Sequence, residues 1–219
     1  MTSFYFRWFF LLLPMALSSQ VIDDLLVQPA VNLSWHNNAR WSFNTAAAQR
    51  NSTNDGWDAL HVQVAQFASY EIGFYTQLGA GVMYRELLDE DSPEEIRFTE
   101  QFVHARKYNA FKLAHRLRWD QRWRDQRITH RWRYRLSASL PLNGSVTDAS
   151  EWYLTGSLEA LFIAENNKNP SYDQRTSLGL GRKISKDIKI QFVGEYRFED
   201  FSRDNEKLLF LNLGLYYSM

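Results

Sequence analysis

Apolar and polar residues alternate one by one along most of the chain, in stretches of about ten residues separated by turn-type clusters. Residues 127–140 show the pattern most clearly, because Trp132 and Tyr134 fall on one face while Arg131 and Arg133 fall on the other. Successive side chains of a β-strand point to opposite faces, which produces this period of two. At the 100° per residue of a helix, the apolar residues form no single stripe. The chain is therefore predicted to be all-β.

The alternating segments are longer than the strands of most soluble sandwiches, which have about 5–6 residues. Eleven segments are found, at residues 27–35, 39–48, 58–68, 72–85, 96–106, 111–123, 127–140, 151–163, 174–182, 188–198 and 207–219. Bacterial single-chain barrels have even strand numbers. We therefore expect an antiparallel transmembrane β-barrel of about 10 to 12 strands, and residues 21–28 are a candidate for part of a further edge strand.

The beginning of the chain has the pattern of a secretory signal. Arg7 supplies positive charge, and residues 8–17 (WFFLLLPMAL) form an apolar run that ends at small residues. This run is too short for a membrane-spanning helix, which needs about 20 residues. We expect a signal peptide at 1–18, cleaved after residue 18 or 19, and a single barrel domain at 19–219. The alternative is a retained N-terminal anchor, for which no stop-transfer pattern is found.

The last residues resemble the C-terminal assembly signal of outer-membrane proteins. Asn212, Gly214, Tyr217 and Met219 fall on the four specified positions of that pattern. Met219 departs from it, since the signal usually ends in Phe or Trp. Together with the expected signal peptide, the resemblance implies that the protein lies in the cell outer membrane. It also implies the barrel-assembly machinery as a partner during insertion.

Composition excludes several classes of function. Lys plus Arg and Asp plus Glu each number 25, and this balance argues against a nucleic-acid partner. The chain has no cysteine, so it has neither disulfides nor a thiolate metal site. Five scattered His residues show no ligand spacing, and neither a metal nor a cofactor is expected. Aromatic residues near predicted strand ends are typical of contact with outer-membrane lipids and lipopolysaccharide. The sequence leaves the oligomeric state open.

The face opposite the apolar one carries many charges, which we predict to lie in the lumen. These residues are Lys112, Arg116, Arg118, Arg122, Arg131, Arg133 and Arg135, with Asp120, Glu159 and Glu195 as candidate partners. A barrel of about eight strands has room inside only for side chains. We therefore favour a structural protein whose narrow lumen is filled by ion pairs. The alternative is an anion-selective pore or an anion-binding barrel, since a ring of Arg favours anions.

A second alternative is an outer-membrane lipid-modifying hydrolase. Glu100, His104 and His115 have the parity of the apolar face, and a hairpin at 107–110 would bring them together. A His–carboxylate pair orients a general base. No Ser falls on the same parity in these strands, so the sequence favours a protein that is not an enzyme without deciding the question.

Two stretches carry a resemblance to a known family. They are residues 115–123 (HRLRWDQRW) and residues 131–136 (RWRYRL). With them, the chain resembles an uncharacterised outer-membrane barrel family, domain of unknown function 2490, over nearly all of its mature part. The resemblance implies a fold and a location, and it implies no activity.

Overall fold

The computed structural model describes residues 22–37, 40–54, 56–89, 93–201 and 206–219. Its strands are β1 (Asp24–His36), β2 (Trp41–Ser52), β3 (Asp58–Gly73), β4 (Thr76–Leu87), β5 (Glu95–Tyr108), β6 (Phe111–Arg124), β7 (Arg127–Pro141), β8 (Trp152–Glu165), β9 (Ser171–Lys183), β10 (Ile188–Glu199) and β11 (Glu206–Ser218). None of the described residues forms a helix long and apolar enough to cross a membrane. The predicted signal peptide at 1–18 lies outside the described residues.

The strands form a closed barrel in which each strand pairs with its neighbours in the chain. The first and last strands close the wall as a parallel pair, from Asp24 beside Leu208 to Ser34 beside Ser218. The prediction of an all-β barrel is confirmed. The eleven strands of the described residues lie within the predicted range of 10 to 12, but the expected even number and the wholly antiparallel wall were wrong. When hairpin-connected strands are odd in number, the first and last run in the same direction, so the closing pair must be parallel.

The strand residues within 21–28 belong to β1 and not to a further edge strand. Residues from Asp24 onward belong to β1, which pairs with both β2 and β11. Inside the wall at this seam, Leu26, Leu208 and Phe210 form a small buried apolar cluster. The Arg197 guanidinium lies 3.5 Å from the centroid of the Phe210 ring. The seam is thus held together by the backbone pairing of β1 with β11 and by the packing of this cluster on the inner face.

The connections differ between the two ends of the barrel. We call the end that holds Ser218 and Met219 the C-terminal end, and its connections are 37–40, 74–75, 109–110, 142–151 and 184–187. The opposite end holds the connections 53–57, 88–94, 125–126, 166–170 and 200–205. Tight turns include Asn109 and Asp125, whose φ angles are 52° and 50°. Asn and Asp tolerate this left-handed backbone better than most residues.

Closure of the sheet separates the two faces of every strand. On β6 the inward Asp120 is fully buried, while the outward Leu117 is 54% exposed. On β5 the inward Glu95 is fully buried, and the outward Ile96 beside it is 55% exposed. Charged side chains therefore lie inside this barrel and apolar side chains lie outside.

Candidate functional site

Ion pairs connect the inward side chains of strands β4 to β10. We call this set the ion-pair network, and its members are Arg85, Arg97, Arg116, Arg122, Arg124, Arg131, Arg133, Arg135, Arg175 and Arg197 with Glu95, Asp120, Glu159, Asp173, Glu195 and Glu199. Arginines outnumber carboxylates in the network. Some carboxylates must therefore pair with more than one guanidinium, or some guanidinium groups must lack a carboxylate partner.

Glu95 is the centre of the network near the opposite end of the barrel. Its carboxylate is fully buried and lies 2.5 Å from Arg97, 2.5 Å from Arg124, 3.6 Å from Arg122 and 3.7 Å from Arg85. These arginines come from β4, β5 and β6, and the register places Glu95 between Arg85 and Arg124. One carboxylate thus balances charge on three adjacent strands.

Glu159 is a second centre, nearer the middle of the wall. Its Oε2 accepts hydrogen bonds from Arg135 at 2.6 Å and from Arg116 at 3.2 Å. Arg133 and Arg175 approach its other oxygen to 4.0 Å. Arg116 lies on β6 and Glu159 on β8, so their bond passes over the intervening β7. Extended Arg and Glu side chains can cover the roughly 10 Å between strands two apart, so this bond runs along the inner face of the wall.

The other carboxylates of the network pair with arginines of β7, β9 and β10. The other close pairs are Arg133–Asp120 at 2.6 Å, Arg131–Asp173 at 3.0 Å, Arg175–Glu199 at 3.1 Å and Arg197–Glu195 at 2.6 Å. Arg118 lies directly opposite Arg133 and bonds the Gln101 amide oxygen at 2.8 Å. Among the described residues, no carboxylate pairs with Arg118. Arg118 therefore adds to the excess of arginines over carboxylates, and like charges on cross-strand neighbours in a sheet are destabilising.

The structure places the predicted lumen residues on the inner face but not in one group. Arg116, Arg118, Arg122, Arg131, Arg133, Arg135, Asp120, Glu159 and Glu195 lie in or beside the network. Lys112 does not, because it lies near the C-terminal end, opposite Lys107 and Ser139. The alternating pattern predicts that both Lys112 and the network residues face inward. Only the register between strands shows that they lie at different positions along the barrel axis.

The sequence reasoning missed several members of the network. They are Arg85, Glu95, Arg97, Arg124, Asp173, Arg175, Arg197 and Glu199. A signal for some of them is present, since a carboxylate stands two residues before an Arg at 95–97, 173–175 and 195–197. Residues two apart in a strand share a face. The spacing therefore indicates acid–base neighbours on one face.

The outer face of β5 and β6 holds the candidate catalytic residues. His104 lies directly opposite His115, whereas Glu100 lies opposite Trp119, four residues farther along the strand. Four residues correspond to about 13 Å. His104 Nδ1 contacts Thr76 Oγ1 at 3.0 Å, and His115 Nδ1 contacts the Tyr134 hydroxyl at 2.8 Å. The fold makes the two histidines cross-strand neighbours but leaves Glu100 far from them. The His–carboxylate pair that the hydrolase hypothesis requires is therefore not formed by Glu100 with either histidine.

A groove of about 1090 Å³ runs along the same outer face. Ala80 and Glu100 lie side by side within it, and Trp119 and Trp132 line it farther along the same row. Most of its lining is aromatic or aliphatic. A groove of this lining fits an alkyl chain better than a polar substrate.

The C-terminal residues lie at the closing seam. Asn212 and Gly214 share the inward parity of β11, and Tyr217 lies outside between Leu33 and Ile188. The Met219 amide donates to the Ser34 carbonyl at 2.8 Å. The residues of the predicted assembly signal thus include the last backbone contacts of the parallel seam.

Among the described residues, no group of His, Asp and Glu side chains is arranged to hold a metal ion. A comparison with curated proteins finds no match. The family model for proteins of unknown function, DUF2490, matches residues 29–207. This range runs from β1 into β11 and contains both stretches, 115–123 and 131–136, that carry the resemblance. Because the match covers most of the chain, the protein belongs to the DUF2490 family.

Proposed function

We propose that the protein is an outer-membrane β-barrel that does not conduct ions, and that the ion-pair network closes its lumen and stabilises its wall. The observation that carries the proposal is that charged side chains lie inside the barrel and apolar side chains lie outside, the reverse of the arrangement in a soluble protein. Outward side chains at least 53% exposed include Val64, Val82, Ile96, Leu117, Leu158 and Leu178. Soluble monomers rarely expose contiguous apolar patches larger than a few hundred Å². A surrounding lipid bilayer would cover this surface.

Aromatic side chains near both ends support the same proposal. Near the C-terminal end are Trp41, Tyr70, Tyr108, Phe111 and Trp152, and near the opposite end are Tyr84, Trp123, Tyr172 and Phe201. Aromatic girdles at the two interfaces flank the apolar band of outer-membrane barrels. In these barrels, short turns face the periplasm and longer loops face outward. We therefore propose that the C-terminal end, with the tight turns 74–75 and 109–110, faces the periplasm.

The location can be tested by cell fractionation. We expect the protein in the outer-membrane fraction, because its apolar outer face needs lipid. We also expect faster gel migration of the unheated sample than of the boiled one, since a closed barrel resists detergent unfolding. A soluble periplasmic barrel is the rival class, and its outer face would be polar. Release by osmotic shock, with solubility in the absence of detergent, would contradict the membrane proposal.

Planar-bilayer recording tests whether the lumen is closed. The carboxylates of Glu95 and Asp120 are fully buried, which supports a lumen filled by side chains at their level. We expect little or no conductance from the purified protein, while a general porin reconstituted in parallel gives open channels. Stable anion-selective channels would show that the network is a selectivity element and would overturn the closed-barrel proposal.

A further inference from the structure

The half of the lumen next to the C-terminal end differs from the half that holds the ion-pair network. Its inward positions carry small side chains, among them Ala30, Ala46, Ala65, Ala114, Ser137 and Ser177. These residues are only half-buried, although they face the inside of a closed barrel. Water therefore reaches this half of the lumen, which we call the small-residue well.

Large side chains in the well lie along its wall. A Cβ atom added to Gly181 would overlap the ring of Tyr153, and one added to Gly214 would lie 2.6 Å from the ring of Tyr216. Tyr153 therefore lies against its cross-strand neighbour Gly181, and Tyr216 lies against Gly214, two residues before it on the same strand. The Tyr153 hydroxyl donates to the Gln191 amide oxygen at 3.2 Å, which holds the ring in this position. The two glycines thus leave room for these tyrosine rings beside the wall.

Two arginines form the floor of the well. Arg116 and Arg135 lie directly opposite each other, and both bond the same oxygen of Glu159. Their side chains are 23% and 28% exposed, whereas the side chain of Arg133 deeper in the network is 8% exposed. Nε of Arg116 is buried and has no hydrogen-bond partner. The two side chains of the floor are therefore partly open to the well, and together they carry more positive charge than their shared carboxylate balances.

Lysines surround the mouth of the well. Lys107 is the cross-strand neighbour of Lys112, and Lys183 is the cross-strand neighbour of Lys189. All four lysines lie within one residue of the end of their strand at the C-terminal end of the barrel, on the inward parity. Glu71 on β3 is a carboxylate at the same end. A mouth of four lysines attracts anions from solution.

We propose that the small-residue well binds an oxyanion of the phosphate type on Arg116 and Arg135. Guanidinium groups match the geometry of phosphate oxygens and bind them through two parallel hydrogen bonds. A bound phosphate would also supply negative charge to two arginines that share one carboxylate. The phosphate can be a free anion or a lipid headgroup. The inference rests on the proposed function for the side of the membrane that the well faces, which is the periplasm.

Calorimetric titration of the purified full-length barrel in detergent tests this inference. One arm uses inorganic phosphate, and a second uses phosphatidic acid in mixed micelles, to distinguish a free anion from a headgroup. We expect saturable binding in at least one arm. The double variant Lys112→Gln, Lys189→Gln should raise the Kd about three- to tenfold through lost attraction at the mouth. Arg135→Gln should raise the Kd at least about tenfold by removing floor donors.

Lys186→Gln is the matched control, because Lys186 lies at the same end, is 88% exposed and contacts only the carboxylate of Asp187 among the described residues. Its Kd should equal that of the unmodified chain. Heat-modifiable migration verifies that each variant is folded. Absence of binding in both arms, or a Kd for either the Arg135→Gln variant or the Lys112→Gln, Lys189→Gln variant that equals the Kd of the control, would overturn the inference. Neither result would affect the membrane location or the closed lumen, which fractionation and bilayer recording test separately.

Discussion

Replacing Glu95 by Gln should destabilise the barrel by about 3–5 kcal/mol, the cost of breaking a buried ion pair. The substitution preserves the size of the side chain and removes its charge. Arg85, Arg97, Arg122 and Arg124 would then repel one another without the buried carboxylate that they share. Urea-induced unfolding of the barrel refolded in lipid vesicles measures the change in the free energy of unfolding.

Two variants serve as controls for this prediction. Glu100→Gln makes the same chemical change on the same strand, but Glu100 faces outward and is exposed, so the free energy of unfolding should change little or rise. Arg118→Gln removes a guanidinium whose closest polar partner is the Gln101 amide, and we expect a neutral or stabilising effect. Equal destabilisation by Glu95→Gln and Arg118→Gln would show that the interior has no excess of positive charge.

Deleting residues 217–219 should block assembly of the barrel in cells while export continues. The deletion removes the pairing of Tyr217 with Leu33 and Ile188 and the bond from Met219 to the Ser34 carbonyl, which end the parallel seam. It also removes two of the four positions of the predicted assembly signal. The measurement is the amount of heat-modifiable protein in the outer membrane, compared with the amount exported.

Refolding in detergent separates the two causes of this effect. If the truncated chain folds in detergent but not in cells, the lost element is the assembly signal. If it folds in neither, the end of the seam is needed for closure itself. Met219→Phe, which restores the usual terminal aromatic residue, should assemble at least as well as the unmodified chain. Unchanged levels of folded barrel after truncation would show that neither the signal nor the seam depends on these residues.

The sequence by itself determined the strands and their faces. Alternation with a period of two places Trp132 and Tyr134 outside and Arg131 and Arg133 inside, because successive side chains of a strand point in opposite directions. The predicted segment 127–140 corresponds to Arg127–Pro141. The family was also readable from the sequence, since the stretches that carry the resemblance lie within the matched range.

Only the tertiary structure decided how the wall closes and which charges meet. The parallel pairing of β1 with β11 depends on two segments at opposite ends of the chain, and no local pattern specifies it. The bond from Arg116 to Glu159 spans the intervening strand β7, which depends on the curvature and stagger of the barrel. Alternation determines the face of the wall on which a side chain lies, but the register between strands determines its position along the barrel axis. That position places Glu95 among four arginines and leaves Lys112 at the mouth of the well.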